Sequence, residues 1–140
     1  MTAREYLGQL RKCSVRIAII REDVMRLRSR LESVSIGISG DKVQTSPKDN
    51  FSETMARIID RQTELERLCS VYDEMMVHIL DEILQMPNEI YSSILYKRYA
   101  VGLSLGEIAG VLHYSVDRVK HLHGDALRAF EAQYPKVKDL

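Results

Sequence analysis

The chain has 140 residues, of which 45% are hydrophobic and 29% are charged, and its 20 Lys and Arg balance its 20 Asp and Glu. This length allows one domain or two small units, and no apolar run reaches the roughly 20 residues of a membrane span. The N-terminal residues lack the apolar core of a secretory signal, so we expect a cytoplasmic protein. The neutral total hides an imbalance, because residues 1–34 carry 8 basic and 4 acidic side chains and residues 51–86 carry 3 and 8.

The first segment, residues 1–34, has apolar residues at alternating steps of four and three. This spacing is typical of the seam of a coiled coil and predicts one long helix. Residues 35–50 follow, with Gly37, Gly40 and Pro47 and no helical period, and they predict a loop. The predicted seam of the first helix includes Leu10, Ile17, Ile20, Val24, Leu27 and Leu31.

The second segment, residues 51–86, repeats the spacing from Phe51 onward, with Gln62 as one polar member. Two long helices of opposite charge joined by one loop predict an antiparallel helical hairpin over residues 1–86, for assembly or docking. The pattern leaves open whether the helices pair within one chain or between subunits. The predicted seam of the second helix includes Ile58, Leu65, Tyr72, Met76 and Ile79.

Residues 87–140 predict three short helices that form a separate C-terminal domain, so we expect an all-α fold for the whole chain. Their boundaries are marked by residues that favour helix ends, including a reciprocal capping box in "SLGE". The signals are Asn88 before the first helix, Gly102 after it, Ser104–Glu107 before a helix over 105–112, and Ser115 before a helix to about residue 131.

The last two of these helices have the pattern of a helix-turn-helix. A small residue, Ala109, stands where the helices would cross, and apolar residues surround it. The start of the last helix would then face outward and enter the major groove of DNA. The predicted core is Ile108, Ala109, Leu112, Tyr114, Val119 and Leu122; the predicted base-reading residues are Val116, Asp117, Lys120 and His121; and the predicted phosphate contacts are Lys97, Arg98, Ser115, Arg118, His123 and Arg128.

The stretch "LYKRYAVGLSLGEIAGVLHYSVDRVKHLHGDALRAF" resembles region four of bacterial sigma factors, the part that reads the promoter −35 element. The whole chain is similar to the sigma-like late-gene regulators of phages and prophages, the autolysin-regulatory type, including their "GDKVQTSP" loop at 40–47. The resemblance implies a DNA-binding activator of late genes in a bacterial host, in which Asp117 and Lys120 read bases. Two positions depart from the pattern: Val116 replaces a frequent Arg, and His113 stands where the turn usually has Gly.

The partners expected from this interpretation are double-stranded DNA, RNA polymerase of the host and a second copy of the chain. Residues 94–131 carry five Lys and Arg against four Asp and Glu, so phosphate attraction alone would be weak. Either a second copy that brings a second DNA-binding part or RNA polymerase would supply the remaining affinity.

Two other functions fit the same pattern. One is a coiled-coil interaction module that docks on RNA polymerase or another regulator without reading DNA, and the other is a phage DNA-packaging subunit. An enzyme is not expected, because the sequence has no phosphate-binding glycine loop, no nucleophile elbow and no His pair at i, i+4. Cys13 and Cys69 have no metal-ligand spacing, and we expect no cofactor, no metal and no small-molecule substrate.

Overall fold

The structure is a computed structural model that describes the backbone of residues 1–36 and 47–140 and the side chains of residues 1–33 and 50–140. Within these residues every regular element is helical, which confirms the predicted all-α class. The elements are α1 (Ala3–Ile36), α2 (Pro47–Leu84), α3 (Glu89–Leu95), a π-helical segment (Tyr96–Val101), α4 (Leu105–Leu112), α5 (Val116–Gln133) and a short 3₁₀ helix (Pro135–Asp139).

The predicted loop over residues 35–50 is longer than the structure allows. Helix α1 continues to Ile36, and α2 already begins at Pro47. Proline suits the first position of a helix, because its missing N–H would have no intrahelical partner there and its fixed φ is helical. The remaining predicted loop, 37–46, lies outside the described residues.

The chain divides into two compact units. The first unit comprises Met1–Cys13 with Tyr72–Leu140, and the second comprises Ser14–Val71. This division is structural and does not coincide with the predicted functional boundary between residues 86 and 87, which stays a prediction.

In the second unit, side chains of α1 and α2 lie close to one another at several points. The Asp23 carboxylate on α1 accepts a hydrogen bond from Arg61 on α2 at 2.9 Å. Leu27 lies beside Arg57 in one surface groove, and Leu31 lies beside Thr54 in another. These contacts join residues 23–31 of α1 to residues 54–61 of α2.

In the second unit, the apolar residues of the predicted seam are buried or half-buried, with one exception. Ile17, Val24, Leu27 and Ile58 are buried, and Ile20, Leu31 and Leu65 are half-buried. Phe51, which begins the predicted seam of α2, is instead 49% exposed. At the end of a helix pair the neighbouring helix covers a side chain from one direction only, so Phe51 keeps half of its surface in water.

The first unit has a large apolar core built around α5. Leu7 and Leu10 of α1, Ile79 and Ile83 of α2, and Phe130 of α5 are buried in it. The seam residues Tyr72 and Met76 are half-buried against the same core. Polar contacts add to it, since Glu131 on α5 accepts the N–H of Ala3 at 2.9 Å and the Tyr134 hydroxyl donates to the Glu82 carbonyl at 2.8 Å.

A second apolar cluster in this unit joins α3, α4 and α5. Its buried members are Ile94, Ile108, Ala109 and Val119, and it holds the start of α5 in place. All six residues predicted as the core of the last two helices belong to it. The partly buried residues that complete the cluster are Leu103, Leu105, Leu112, Tyr114 and Leu122.

Candidate nucleic-acid interface

Helix α4 begins with the predicted capping box. The Ser104 hydroxyl accepts a hydrogen bond from the Glu107 N–H at 3.1 Å, and the Glu107 carboxylate accepts one from the Ser104 N–H at 3.4 Å. These bonds satisfy backbone donors that the first turn of a helix leaves without partners. The start of α4, at Leu105, is therefore fixed by its own sequence.

A three-residue turn, His113–Ser115, connects α4 to α5. His113 has φ 57°, in the left-handed region, and the N–H of Tyr114 returns to the Ala109 carbonyl at 3.0 Å. The Ser115 hydroxyl then caps α5 by accepting the N–H of Arg118 at 3.2 Å. The turn thus connects the two helices within three residues and fixes where α5 begins.

The four residues predicted to read bases lie on the outer side of α5. Val116 is 43% exposed, and Asp117, Lys120 and His121 are also exposed. Val119, between them in the sequence, is completely buried beneath the helix. The first two turns of α5 therefore present an apolar, an acidic, a basic and an imidazole side chain together at the surface.

Three of the predicted phosphate contacts are exposed at or near this face. The Arg118 guanidinium lies over the Tyr114 ring, 4.0 Å from its centroid, which orients the side chain by a cation–π contact. Ser115 is exposed, and its hydroxyl can still donate while it caps the helix. Arg128 is exposed as well, but it pairs with Asp125 on the preceding turn, which reduces its attraction for a phosphate.

Two other predicted phosphate contacts, Lys97 and Arg98, are half-buried in the π-helical segment. The Lys97 ammonium donates to the Ser93 hydroxyl at 3.2 Å, and Arg98 Nη1 donates to the Leu103 carbonyl at 3.0 Å. The bond from Arg98 holds the bend that follows Gly102, which has φ 89°. Arg98 therefore has a structural role that its basic character alone did not indicate.

The prediction that His123 contacts phosphate is wrong. Its side chain lies inside the first unit, 6% exposed, and its Nε2 forms a hydrogen bond of 2.9 Å with the Tyr99 hydroxyl. Burial, reinforced by the charges of Arg4 and Arg98, lowers the pKa of His123 to about 4, so the ring is neutral at neutral pH. The ring is therefore inaccessible to a phosphate at the surface, and its Nε2 is already bonded to Tyr99.

The sequence did contain a signal for this burial. His123 stands four residues after Val119 and three before Ala126, which places it on the buried side of α5. Its partner Tyr99, whose ring centroid lies 5.7 Å from that of His123, was not predicted. Burial raises the pKa of Tyr99, so its hydroxyl stays protonated.

The described residues contain no group of three or more His, Cys, Asp or Glu that could hold a metal ion. Among the same residues, no helix combines the length and the apolar character needed to cross a membrane. Cys13 is buried and Cys69 is half-buried. The exposed start of α5 is thus the best-defined candidate site in the described part of the chain.

Comparisons of the chain with protein-family models, with curated proteins and with solved structures give no match.

Proposed function

We propose that this chain is a sequence-specific DNA-binding regulator of transcription, of the sigma-like type that activates phage late genes. The observation that carries the proposal is the exposure of Val116, Asp117, Lys120 and His121 on two helical turns whose opposite side is buried. A surface that reads bases must be accessible to DNA and must also be rigidly supported. The start of α5 meets both conditions.

In this proposal α4 and α5 act as a helix-turn-helix, and α5 is the helix that enters the major groove. Such motifs place the N-terminal residues of the second helix against base edges. The buried cluster of Ile94, Ile108 and Val119 supports α5 from behind, and the turn at His113 sets its angle. Residues 87–140 would then be the DNA-binding part.

The four exposed side chains supply different contacts with base edges. Lys120 donates to O6 or N7 of guanine, and Asp117 accepts from N4 of cytosine. Val116 provides apolar contact for a thymine methyl group, and His121 has ring nitrogens that can donate or accept. Arg118 and Ser115 would contact phosphates and fix the register without reading sequence.

The interface has too few free cations to bind DNA tightly by itself. Arg128 is paired with Asp125, Arg98 is bound to the Leu103 carbonyl, and His123 is buried and neutral. Each phosphate contact that is lost removes part of the salt-dependent attraction. We therefore propose that residues 1–86, as a coiled-coil hairpin, recruit a second copy of the chain or RNA polymerase.

The proposal is tested by selecting bound DNA from a random pool, using the full chain with and without bacterial RNA polymerase. A palindromic site enriched by the chain alone would identify a self-sufficient dimer. A single half-site enriched only with polymerase would identify the sigma-like mode. No enrichment under either condition would refute sequence-specific binding.

Two matched substitutions test the role of α5 on the selected site. Lys120→Ala should weaken binding to the cognate site by roughly 1–3 kcal/mol and relax the preference at one base pair. Arg118→Ala should weaken binding to all sequences alike, because its contact would be to phosphate. Fluorescence anisotropy with cognate and scrambled duplexes measures both, and equal losses on both duplexes for both variants would exclude base reading by Lys120.

A second candidate function is protein docking without DNA contact. It is favoured by apolar side chains at the surface of the second unit, where Val15, Ile19 and Met25 of α1 are 48%, 59% and 68% exposed. In that case replacing Asp117, Lys120 and His121 together by alanine would leave regulation intact. Loss of promoter activity in a reporter strain carrying this triple variant would instead support DNA reading.

A further inference from the structure

The part of α2 that belongs to the first unit carries an apolar stripe at its surface, outside both apolar clusters of that unit. Val77 and Leu84 are 62% and 76% exposed, and Leu80 between them is half-buried. Leu80 stands three residues after Val77 and four before Leu84, so the three side chains share one face of the helix. A row of exposed apolar side chains at this spacing is typical of a surface that another helix covers.

Acidic side chains lie beside the stripe. Asp73 stands four residues before Val77, and Asp81 stands four residues after it, which places both carboxylates on the same face of α2. Both side chains are exposed, and neither forms an ion pair with another described residue. Residues 72–96 contain five Asp and Glu and no Lys or Arg, so this stretch of chain leaves the negative charge of the stripe unbalanced.

The combination of an apolar centre and a negative edge determines which partner fits. When two helices pack, they bury an apolar seam, and the charges beside the seam select the partner by pairing with opposite charges. An acidic helix would bring like charges together, which costs free energy. The carboxylates would also repel the phosphates of a nucleic acid or of an anionic lipid surface.

The partner helix is expected to come from another protein. The basic helix of this chain, α1, already buries its own apolar seam at Ile17, Val24 and Leu27. A free helix that offers both an apolar seam and basic flanking residues must therefore be supplied from outside.

We infer that the stripe on α2 binds a basic amphipathic helix of another protein. Apolar residues of that helix pack on Val77 and Leu84. Its Lys and Arg side chains pair with Asp73 and Asp81. The inference specifies the surface and the partner for the docking proposed for residues 1–86, and it rests on that part of the proposed function. It uses no residue of α5, so the selection of DNA tests base reading separately.

The test uses two synthetic peptides of about 21 residues, or three heptads, with leucine at the same seam positions in both. One peptide has Lys beside the seam, and the other has Glu. Isothermal titration calorimetry with the full chain should show that the Lys peptide binds about tenfold more tightly than the Glu peptide, with a difference that decreases as salt is added. Equal affinity of the two peptides, or no saturable binding of the Lys peptide, would overturn the inference.

Leu84→Ser tests the apolar part of the stripe. It should lower the affinity for the Lys peptide about tenfold, because it removes apolar surface from the contact. Ile59→Ser is the matched control, since Ile59 is a 57% exposed residue of α2 in the other unit, and this variant should bind as the unchanged protein does. Equal affinities of the two variants would contradict the assignment.

Asp73→Asn combined with Asp81→Asn tests the charged part and should also lower the affinity about tenfold. The control combines Glu53→Gln with Asp60→Asn, which removes two exposed carboxylates from α2 in the other unit and should leave the affinity unchanged. The same affinity in both double variants would contradict the pairing of charges. Sedimentation velocity of the full chain tests the other occupant, because self-association that Leu84→Ser abolishes would assign the stripe to a second copy and overturn the inference.

Discussion

The two ends of α5 differ in how far their side chains are exposed to solvent. Between Val116 and His121 only Val119 is fully buried, and every other side chain in that stretch is exposed. From His123 onward the helix turns a buried face to the core, ending with Phe130. Residues at the first end are therefore accessible to another molecule, whereas residues at the second end hold the helix in place.

The comparison predicts that stability depends mainly on the buried end of α5, and Phe130→Ala gives the largest effect. Phe130 is 0% exposed, and its ring centroid lies 4.9 Å from that of Tyr134 and 6.1 Å from that of Tyr6. Removing the ring leaves a cavity and should lower the free energy of unfolding by about 3–5 kcal/mol. Urea unfolding followed by circular dichroism measures the loss.

Val116→Ala is the control from the exposed end of the same helix. It should change the free energy of unfolding by less than about 0.5 kcal/mol, because an exposed helical position tolerates alanine well. If both variants lost similar stability, the start of α5 would be packed against other parts of the protein and would not be available to DNA.

Because His123 lies in the buried part of α5, we expect the free energy of unfolding to depend on pH. Its pKa of about 4 in the folded protein lies below the ordinary value of 6.5. As the pH falls, His123 in the unfolded chain therefore takes up a proton at a higher pH than it does in the folded protein. The contribution of His123 to the free energy of unfolding is fully present above pH 6.5 and is lost as the pH falls to about 4. The loss should be about 1–2 kcal/mol, because solvent screening reduces the full effect of the altered pKa.

Substitutions of two histidines distinguish the contribution of His123 from that of carboxylates that titrate in the same pH range. Urea unfolding between pH 7 and pH 4 should show a weaker pH dependence for His123→Gln than for the unchanged protein. His121→Gln, at the exposed end, should keep the dependence of the unchanged protein. The assignment fails if His123→Gln retains the full slope.

Local signals in the sequence were sufficient to predict the helix ends around the candidate site. Asn88, Ser104 and Ser115 all cap helices, and α4 spans the predicted residues 105–112. These features depend on side chains that bond to the backbone two or three residues away. For the same reason, the outward direction of Val116 and Lys120 could be predicted from helical periodicity.

Features that depend on distant parts of the chain could not be predicted in the same way. Arg98 looked like a phosphate contact until the structure showed it bound to the Leu103 carbonyl in a π-helical bend. The lowered pKa of His123 depends on its burial in the folded core and on the charge of Arg4 in α1, more than a hundred residues away in the sequence. The heptad spacing also runs through Cys13 without interruption, so it gives no sign that the compact units divide there.

A smaller effect than those of Phe130 and His123 concerns the turn that joins the exposed start of α5 to α4. His113 is the one non-glycine residue with positive φ in the described chain, at 57°. A side chain with a Cβ costs about 1 kcal/mol in this conformation, and glycine avoids that strain. His113→Gly should therefore raise the free energy of unfolding by about 0.5–1 kcal/mol, measured by urea unfolding.

Gly102→Ala is the reciprocal substitution, because Gly102 has φ 89° and a Cβ there meets no atom within 4 Å. It should lower the free energy of unfolding by about 1 kcal/mol through backbone strain alone. His113→Gly should also leave the affinity of the selected DNA site unchanged, since His113 sets the turn and is not among the base-reading residues. A loss of DNA affinity together with a gain in stability would mean that the imidazole of His113 itself contacts DNA, and the reading surface would then include the turn as well as α5.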